Sequence, residues 1–244
     1  MGKVKAQQLK YAIPSSFTIC AMMAAYYAIL HAASGVFTQA AYGVIVAMIF
    51  DSLDGRSARL TNTCTAFGAS FDSLTDMMAY GVAPAIMMYC WGLFRLGKTG
   101  YLVCFIFCAC AGLRLARFNV MAATSDKRFF HGLSSTMAGG FIVAFILACV
   151  QYGIYGNGVI YFASGLTIVT ALLMVSNLKF YSFKEIKRSP RLVAVVLTIV
   201  LGLLVGLTVK YKGLCVFAVL GMYILINLLL QPLFNSRSLA SAAD

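Results

Sequence analysis

The sequence predicts an all-α polytopic membrane protein of about eight transmembrane helices: a six-helix core followed by a C-terminal helical hairpin. Three observations predict it. Of the 244 residues, 61% are hydrophobic and only 11% are charged, whereas a soluble domain is roughly 45–50% apolar and about 25% charged. Apolar windows recur at about 18–22 residues, the length that crosses a bilayer as a helix. Most of the 19 Lys and Arg, against 7 Asp and Glu, lie between those windows or near their ends.

Taken in order, the windows place helices at 14–33, 36–57, 66–93, 99–119, 134–153, 156–177, 191–209 and 212–232. The first follows a basic stretch, Met1–Lys10, which superficially resembles a signal peptide. Its apolar part, Phe17–Ala33, is too long for a signal's hydrophobic region and has no clear cleavage site, so a retained first helix is expected. The linker Arg59–Gly68, with Thr61, Asn62, Thr63 and Thr65, suits a turn between the second and third helices. The longest polar stretch, Asn177–Arg191, separates six helices from the last two. A core over residues 1–185 and an accessory hairpin with tail over 186–244 are therefore expected. The hairpin helices contain no Asp or Glu.

An even number of spans puts both ends on one side. Fifteen of the 19 basic residues then fall on that side, among them Lys3, Arg56, Arg59, Arg114, Arg117 and Lys184. Arg95, Lys98, Lys210 and Lys212 fall on the other. The positive-inside bias makes the richer side cytoplasmic and points to the cytoplasmic (inner) membrane. It also explains the net charge of +12 through loops facing anionic lipid, with no nucleic-acid partner. The eight cysteines form no C-x-x-C pair. That argues against zinc and for free thiols packed as small apolar groups.

Four of the seven carboxylates, Asp51, Asp54, Asp72 and Asp76, lie within 26 residues of otherwise apolar sequence. A carboxylate at the centre of a membrane helix costs about 2.5–3.5 kcal/mol on insertion scales. Four together repel one another unless a cation holds them. Spacings of three and four place each pair on one helical face, so two antiparallel helices could bring the pairs together. Oxygen ligands favour Mg²⁺, Mn²⁺ or Ca²⁺. Gly55, Ala58 and Gly68 leave room for a ligand, and Arg59 is placed to meet a phosphate. The combination reads as a metal–diphosphate site. A cation channel or transporter is the rival from another class, because acid rings line pores. Ion pairing with arginines merely to hold helices is the structural alternative.

At these residues the chain resembles the CDP-alcohol phosphotransferases. Their pattern D-x2-D-G-x2-A-R-x8-G-x3-D-x3-D is matched at Asp51, Asp54, Gly55, Ala58, Arg59, Gly68, Asp72 and Asp76. The likeness spans roughly residues 10–180. Phe71–Ala85, Leu113–Asn119 and Gly132–Gly140 resemble the membrane-embedded, serine-using branch. Two positions depart from it: Pro14-Ser15-Ser16 stands where a Pro-Asn pair is usual, and Ser134 where Pro usually follows Gly-Leu.

The resemblance implies transfer of a phosphatidyl group from CDP-diacylglycerol to the hydroxyl of L-serine, with release of CMP. Sibling acceptors are glycerol-3-phosphate, inositol and choline. It implies Mg²⁺ or Mn²⁺ on Asp51, Asp54 and Asp72, with Asp76 near the metal or acting as base, and a homodimer in the membrane. Gly55, Ala58, Arg59 and Gly68 would join Asp54 in binding the donor. Arg114, Arg117 and Asn119 are candidates for the acceptor carboxylate or a phosphate, since arginine grips both bidentately. Tyr80 and Tyr89 are expected to pack or to lie at an interface. His131 is expected to be incidental, and Lys179–Arg191 to mark topology or to meet anionic lipid.

Overall fold

In the computed structural model, residues 2–60, 65–122, 130–180 and 213–227 are described. The described chain is helical apart from one antiparallel pairing of Phe130-His131 with Lys179-Phe180. The helices are α1 (Gly2–Ala33), α2 (Phe37–Leu60), α3 (Ala66–Asp76), α4 (Ala83–Trp91), α5 (Lys98–Ala122), α6 (Ser135–Tyr152) and α7 (Asn157–Val175), then α8 (Gly213–Asn227). A π-turn, Met77–Val82, joins α3 to α4 without a break, so the pair forms the one long helix expected over 66–93. The helix expected over 191–209 lies outside the described residues.

Among the described residues, four helical stretches are long and apolar enough to cross a membrane: Ser15–Ala33, Lys98–Met121, Ser135–Tyr152 and Asn157–Val175. They mark the chain as a membrane protein. α1 begins twelve residues earlier than expected, at Gly2 rather than 14. The stretch Lys3–Tyr11 is rich in Lys, Gln, Ala and Leu, all good helix formers, so nothing stops the helix where its apolar part ends.

Small residues let the first two helices approach closely. Ala21, Ala25, Ala28 and Ala32 recur on one face of α1 and are fully buried, as are Ala40, Ala41, Val44 and Ala47 of α2. A Cβ at Gly43 would come within 2.9 Å of the Ala28 Cβ. In lipid, where no hydrophobic force drives helices together, such close backbone packing supplies the attraction. The opposite face of α1, with Ile19, Met23, Tyr26 and Leu30, is exposed, as suits contact with lipid tails. α1 ends at Gly35, whose positive φ of 77° reverses the chain. Val36 N–H bonds back to His31 O at 2.8 Å and Gly35 N–H to Ala32 O at 3.1 Å, closing a Schellman motif.

α6 runs through the middle of the bundle, with Phe141–Cys149 buried throughout. α8 rests against it. Phe217 stacks on Phe141 with ring centroids 4.7 Å apart, and Gly213 N–H donates to the Gln151 side-chain oxygen. Contacts run from Gln151 and Ala148 near the start of α8 to Gly140 and Phe141 further along it, so α8 is antiparallel to α6. The ends of α2 and α5 and the beginnings of α3 and α6 gather at one end of the bundle. That is where the acids are.

Candidate active site

Asp51 and Asp54 occupy the last turns of α2; Asp72 and Asp76 occupy the last turns of α3. Thr65 starts α3 as its N-cap, accepting the Gly68 N–H at 3.0 Å. This cap fixes where α3 begins. Asp51, Asp72 and Asp76 each offer a carboxylate oxygen within 4.8 Å of the others. Asp54 stands outside that trio and is 4% exposed. The Thr18 side chain and the Gly55 backbone N–H hydrogen-bond to it, yet its Oδ2 is buried with no hydrogen-bond partner. A buried carboxylate oxygen without a partner is strongly disfavoured. The donor set is all oxygen, and three like charges crowd together beside an orphaned fourth. These residues fit a divalent cation of the hard class.

The π-turn that follows Asp76 brings in a residue that the sequence alone assigns to packing. Pro84 lacks an N–H and its ring would crowd the carbonyl of Tyr80, four residues earlier. The helix widens there: Ala83 N–H bonds to Met78 O, five residues back. Tyr80, fully buried in this turn, donates its hydroxyl to Asp51 Oδ2 at 2.8 Å. A signal did exist. Asp72, Asp76 and Tyr80 are spaced by four, which puts the phenol on the acidic face.

A cleft of about 490 Å³ opens beside the acids. One wall is a face of α3 with Ala66, Ser70, Ser73, Asp72 and Asp76. The other walls carry Arg114 and Asn119 of α5, and Ser134 and Thr136 at the start of α6. Arg114 Nη1 donates to Ser135 Oγ at 2.8 Å, and its guanidinium lies 5.9 Å from the Phe118 ring centroid. Asn119 Nδ2 donates to Ser73 Oγ at 2.9 Å, while that hydroxyl bonds to Ala69 O at 3.0 Å. Asn119 therefore ties α5 to the helix that carries Asp72.

The expected site residues divide accordingly. Asp72, Asp76, Arg114 and Asn119 line one cleft. Arg117 does not: it donates to Asn177 Oδ1 at 2.7 Å and to Val175 O at 3.3 Å, tying α5 to the end of α7. Gly68 does not line the cleft either; a Cβ there would sit 3.1 Å from the Thr65 cap oxygen. Gly55 serves Asp54 through its backbone. Ala58 and Arg59 lie in the last turn of α2, and their side chains are outside the described set. So is the side chain of His131, whose backbone pairs with Lys179. Beyond Tyr80, the partners Thr18, Ser73, Ser135 and Asn177 were not anticipated.

The fold and site together define a helical membrane protein with a carboxylate trio, fit for a divalent cation, beside a polar cleft. Residues 11–176 match the family described as CDP-alcohol phosphatidyltransferase. The chain belongs to that family. A Helicobacter pylori protein named CDP-diacylglycerol–serine O-phosphatidyltransferase (strain J99) is 35% identical over 187 residues, covering 77% of this chain and 79% of that one. Its counterpart in a second H. pylori strain is 37% identical over 188 residues, with the same coverage. An archaetidylserine synthase from Methanothermobacter thermautotrophicus is 33% identical over 172 residues, 69% of each chain.

Proposed function

We propose that this protein transfers the phosphatidyl group of CDP-diacylglycerol to the hydroxyl of L-serine and releases CMP. The observation that carries the reading is the cleft. Asp76 and Asp72 share it with Arg114, Asn119 and the hydroxyl-bearing Ser70, Ser73, Ser134 and Thr136. A hydroxylated acceptor that carries a carboxylate finds there an acid group for its O–H and a guanidinium for its carboxylate. The relatives named for serine transfer support the same choice.

In the reaction, the serine oxygen forms a bond to the phosphorus that carries diacylglycerol. The pyrophosphate P–O bond breaks, and its electron pair leaves with CMP. Asp51, Asp54 and Asp72 would hold Mg²⁺ or Mn²⁺, which supplies charge neutralisation to the diphosphate and the departing CMP. Asp76 takes the proton of the serine hydroxyl, which is a poor nucleophile while protonated. Arg114 holds the serine carboxylate. Its bond to Ser135 uses one N–H of five, so the remaining fork stays available. Gly55, Ala58, Arg59 and Gly68 serve the donor side.

Purified protein offered CDP-diacylglycerol with serine, glycerol-3-phosphate, inositol and choline in separate reactions should release CMP fastest with serine. Faster release with glycerol-3-phosphate would show the acceptor assignment to be wrong, and no release with any acceptor would favour a transporter. Arg114→Lys should raise the serine KM about tenfold or more with little change for CDP-diacylglycerol, since a charge-assisted hydrogen bond contributes ~1.5–3 kcal/mol. Arg117→Lys should leave the serine KM near wild type and lower thermal stability instead. An interchange of these two phenotypes would reassign the acceptor arginine.

The remaining features of the proposal concern the membrane. All eight expected helices span the inner membrane, with α2 and the joined α3–α4 among them, and both termini and the acids lie on the cytoplasmic side. Residues 1–185 form the catalytic core and 186–244 the accessory hairpin and tail, whose α8 rests on α6 of the core. The protein works as a homodimer, as the family likeness implies. Serine and CMP then exchange with the cytoplasm while the lipid tails stay in the bilayer. A cysteine at Lys98, in a background without native cysteines, should react with an impermeant reagent from outside intact cells. One at Lys184, which lies outside the described residues, should not. Labelling in the reverse pattern would invert the topology.

A further inference from the structure

We propose that Tyr80 is a positioning residue for the metal site, holding one oxygen of Asp51 so that the other faces the cation. This rests on the metal-site reading above. Three observations on the structure meet at this residue. The phenol is fully buried and its hydroxyl donates to Asp51 Oδ2 at 2.8 Å. The π-turn between α3 and α4 sets its backbone, so the helix carrying Asp72 and Asp76 also delivers the group that orients Asp51. Gly139 of α6 closes over that turn: a Cβ there would come within 2.8 Å of Tyr80 O and 3.0 Å of its Cα. α6 can approach so closely only because residue 139 has no side chain.

The arrangement joins the two halves of the carboxylate trio. Asp51 comes from α2, and Asp72 and Asp76 come from α3. A free Asp51 would turn away from two like charges when no cation is present. The Tyr80 hydrogen bond opposes that rotation and presents a preformed site. Hydrogen bonds to ligating groups of this kind typically change metal affinity about 10–100-fold when removed.

The test is Mn²⁺ binding to purified protein in nanodiscs, read by electron paramagnetic resonance without substrate, so it does not depend on the acceptor assignment. Tyr80→Phe keeps the ring and removes only the hydroxyl. Its Mn²⁺ Kd is expected to rise about tenfold or more, with the metal-free melting temperature close to wild type. A Kd within twofold of wild type overturns the proposal. So does a Tyr80→Phe protein that melts far lower without metal, since the hydroxyl would then be holding the fold. Gly139→Ala provides an independent measurement that leaves the phenol in place and presses on its backbone. Weakened Mn²⁺ binding by the folded variant supports the clamp, and wild-type binding overturns it. Failure of wild-type protein to bind Mn²⁺ at all would instead refute the metal-site reading itself.

Discussion

Asp51→Asn, Asp54→Asn and Asp72→Asn should each reduce CMP release at least 100-fold while the protein still inserts in the membrane. Charge stabilisation by a bound cation contributes several kcal/mol to a transition state, and each 1.36 kcal/mol is about tenfold in rate. Asparagine keeps the shape and one oxygen of each side chain but removes the charge. At Asp51 it also disturbs the Tyr80 hydrogen bond. At Asp54 the change removes the charge of a buried carboxylate, one oxygen of which has no hydrogen-bond partner. The metal-free Asp54→Asn protein should therefore melt no lower than wild type, and only its metal-dependent stabilisation should disappear. Chelation of the wild type should abolish turnover, and added Mg²⁺ or Mn²⁺ should restore it. Near-normal activity in any one variant would remove that residue from the ligand set. Activity that survives exhaustive chelation would remove the metal.

The second large effect is expected at Asp76. It lies within the carboxylate trio and also lines the cleft, across from Arg114. Asp54 lies outside both. On the proposed mechanism, that difference separates a group placed to reach the acceptor from one placed to hold the metal and the donor. Asp76→Asn removes basicity at nearly constant size, so kcat should fall about 10²–10⁴-fold, the usual contribution of a positioned general base. Affinity for CDP-diacylglycerol should be retained better than in Asp54→Asn. Measuring donor affinity and kcat on the same purified variant distinguishes the roles. Loss of donor and metal binding as complete as in Asp54→Asn would make Asp76 chiefly a ligand. Turnover near the wild-type rate would exclude it as the base.

Read alone, the sequence specifies the membrane character, the helices found among the described residues and the positions of the acids. These depend on local quantities: window hydropathy, the spacing of three between Asp51 and Asp54, and that of four between Asp72 and Asp76. The same locality placed the first six helices within a few residues of their observed ends, apart from the start of α1, where good helix formers carry the helix back to Gly2.

Which neighbours those residues meet depends on how the helices pack. Arg114 and Arg117 look alike in sequence, three residues apart on one helix. On a helix that spacing still rotates them by about 60° relative to each other. The first turns into the cleft and bonds to Ser135 of α6; the second reaches Asn177 beyond α7. Their partners differ because different helices pack on either side of α5. Tyr80 carried a spacing signal but no indication of its partner, since Asp51 lies 29 residues earlier. The contact depends on a π-turn at Pro84 and on the close approach of α6 at Gly139, and neither is a property of the segment containing Tyr80. Asp54 shows the same limit. Its place in the pattern was legible, but its burial beside Thr18, outside the trio and with one oxygen unpartnered, follows from how α1 packs on α2.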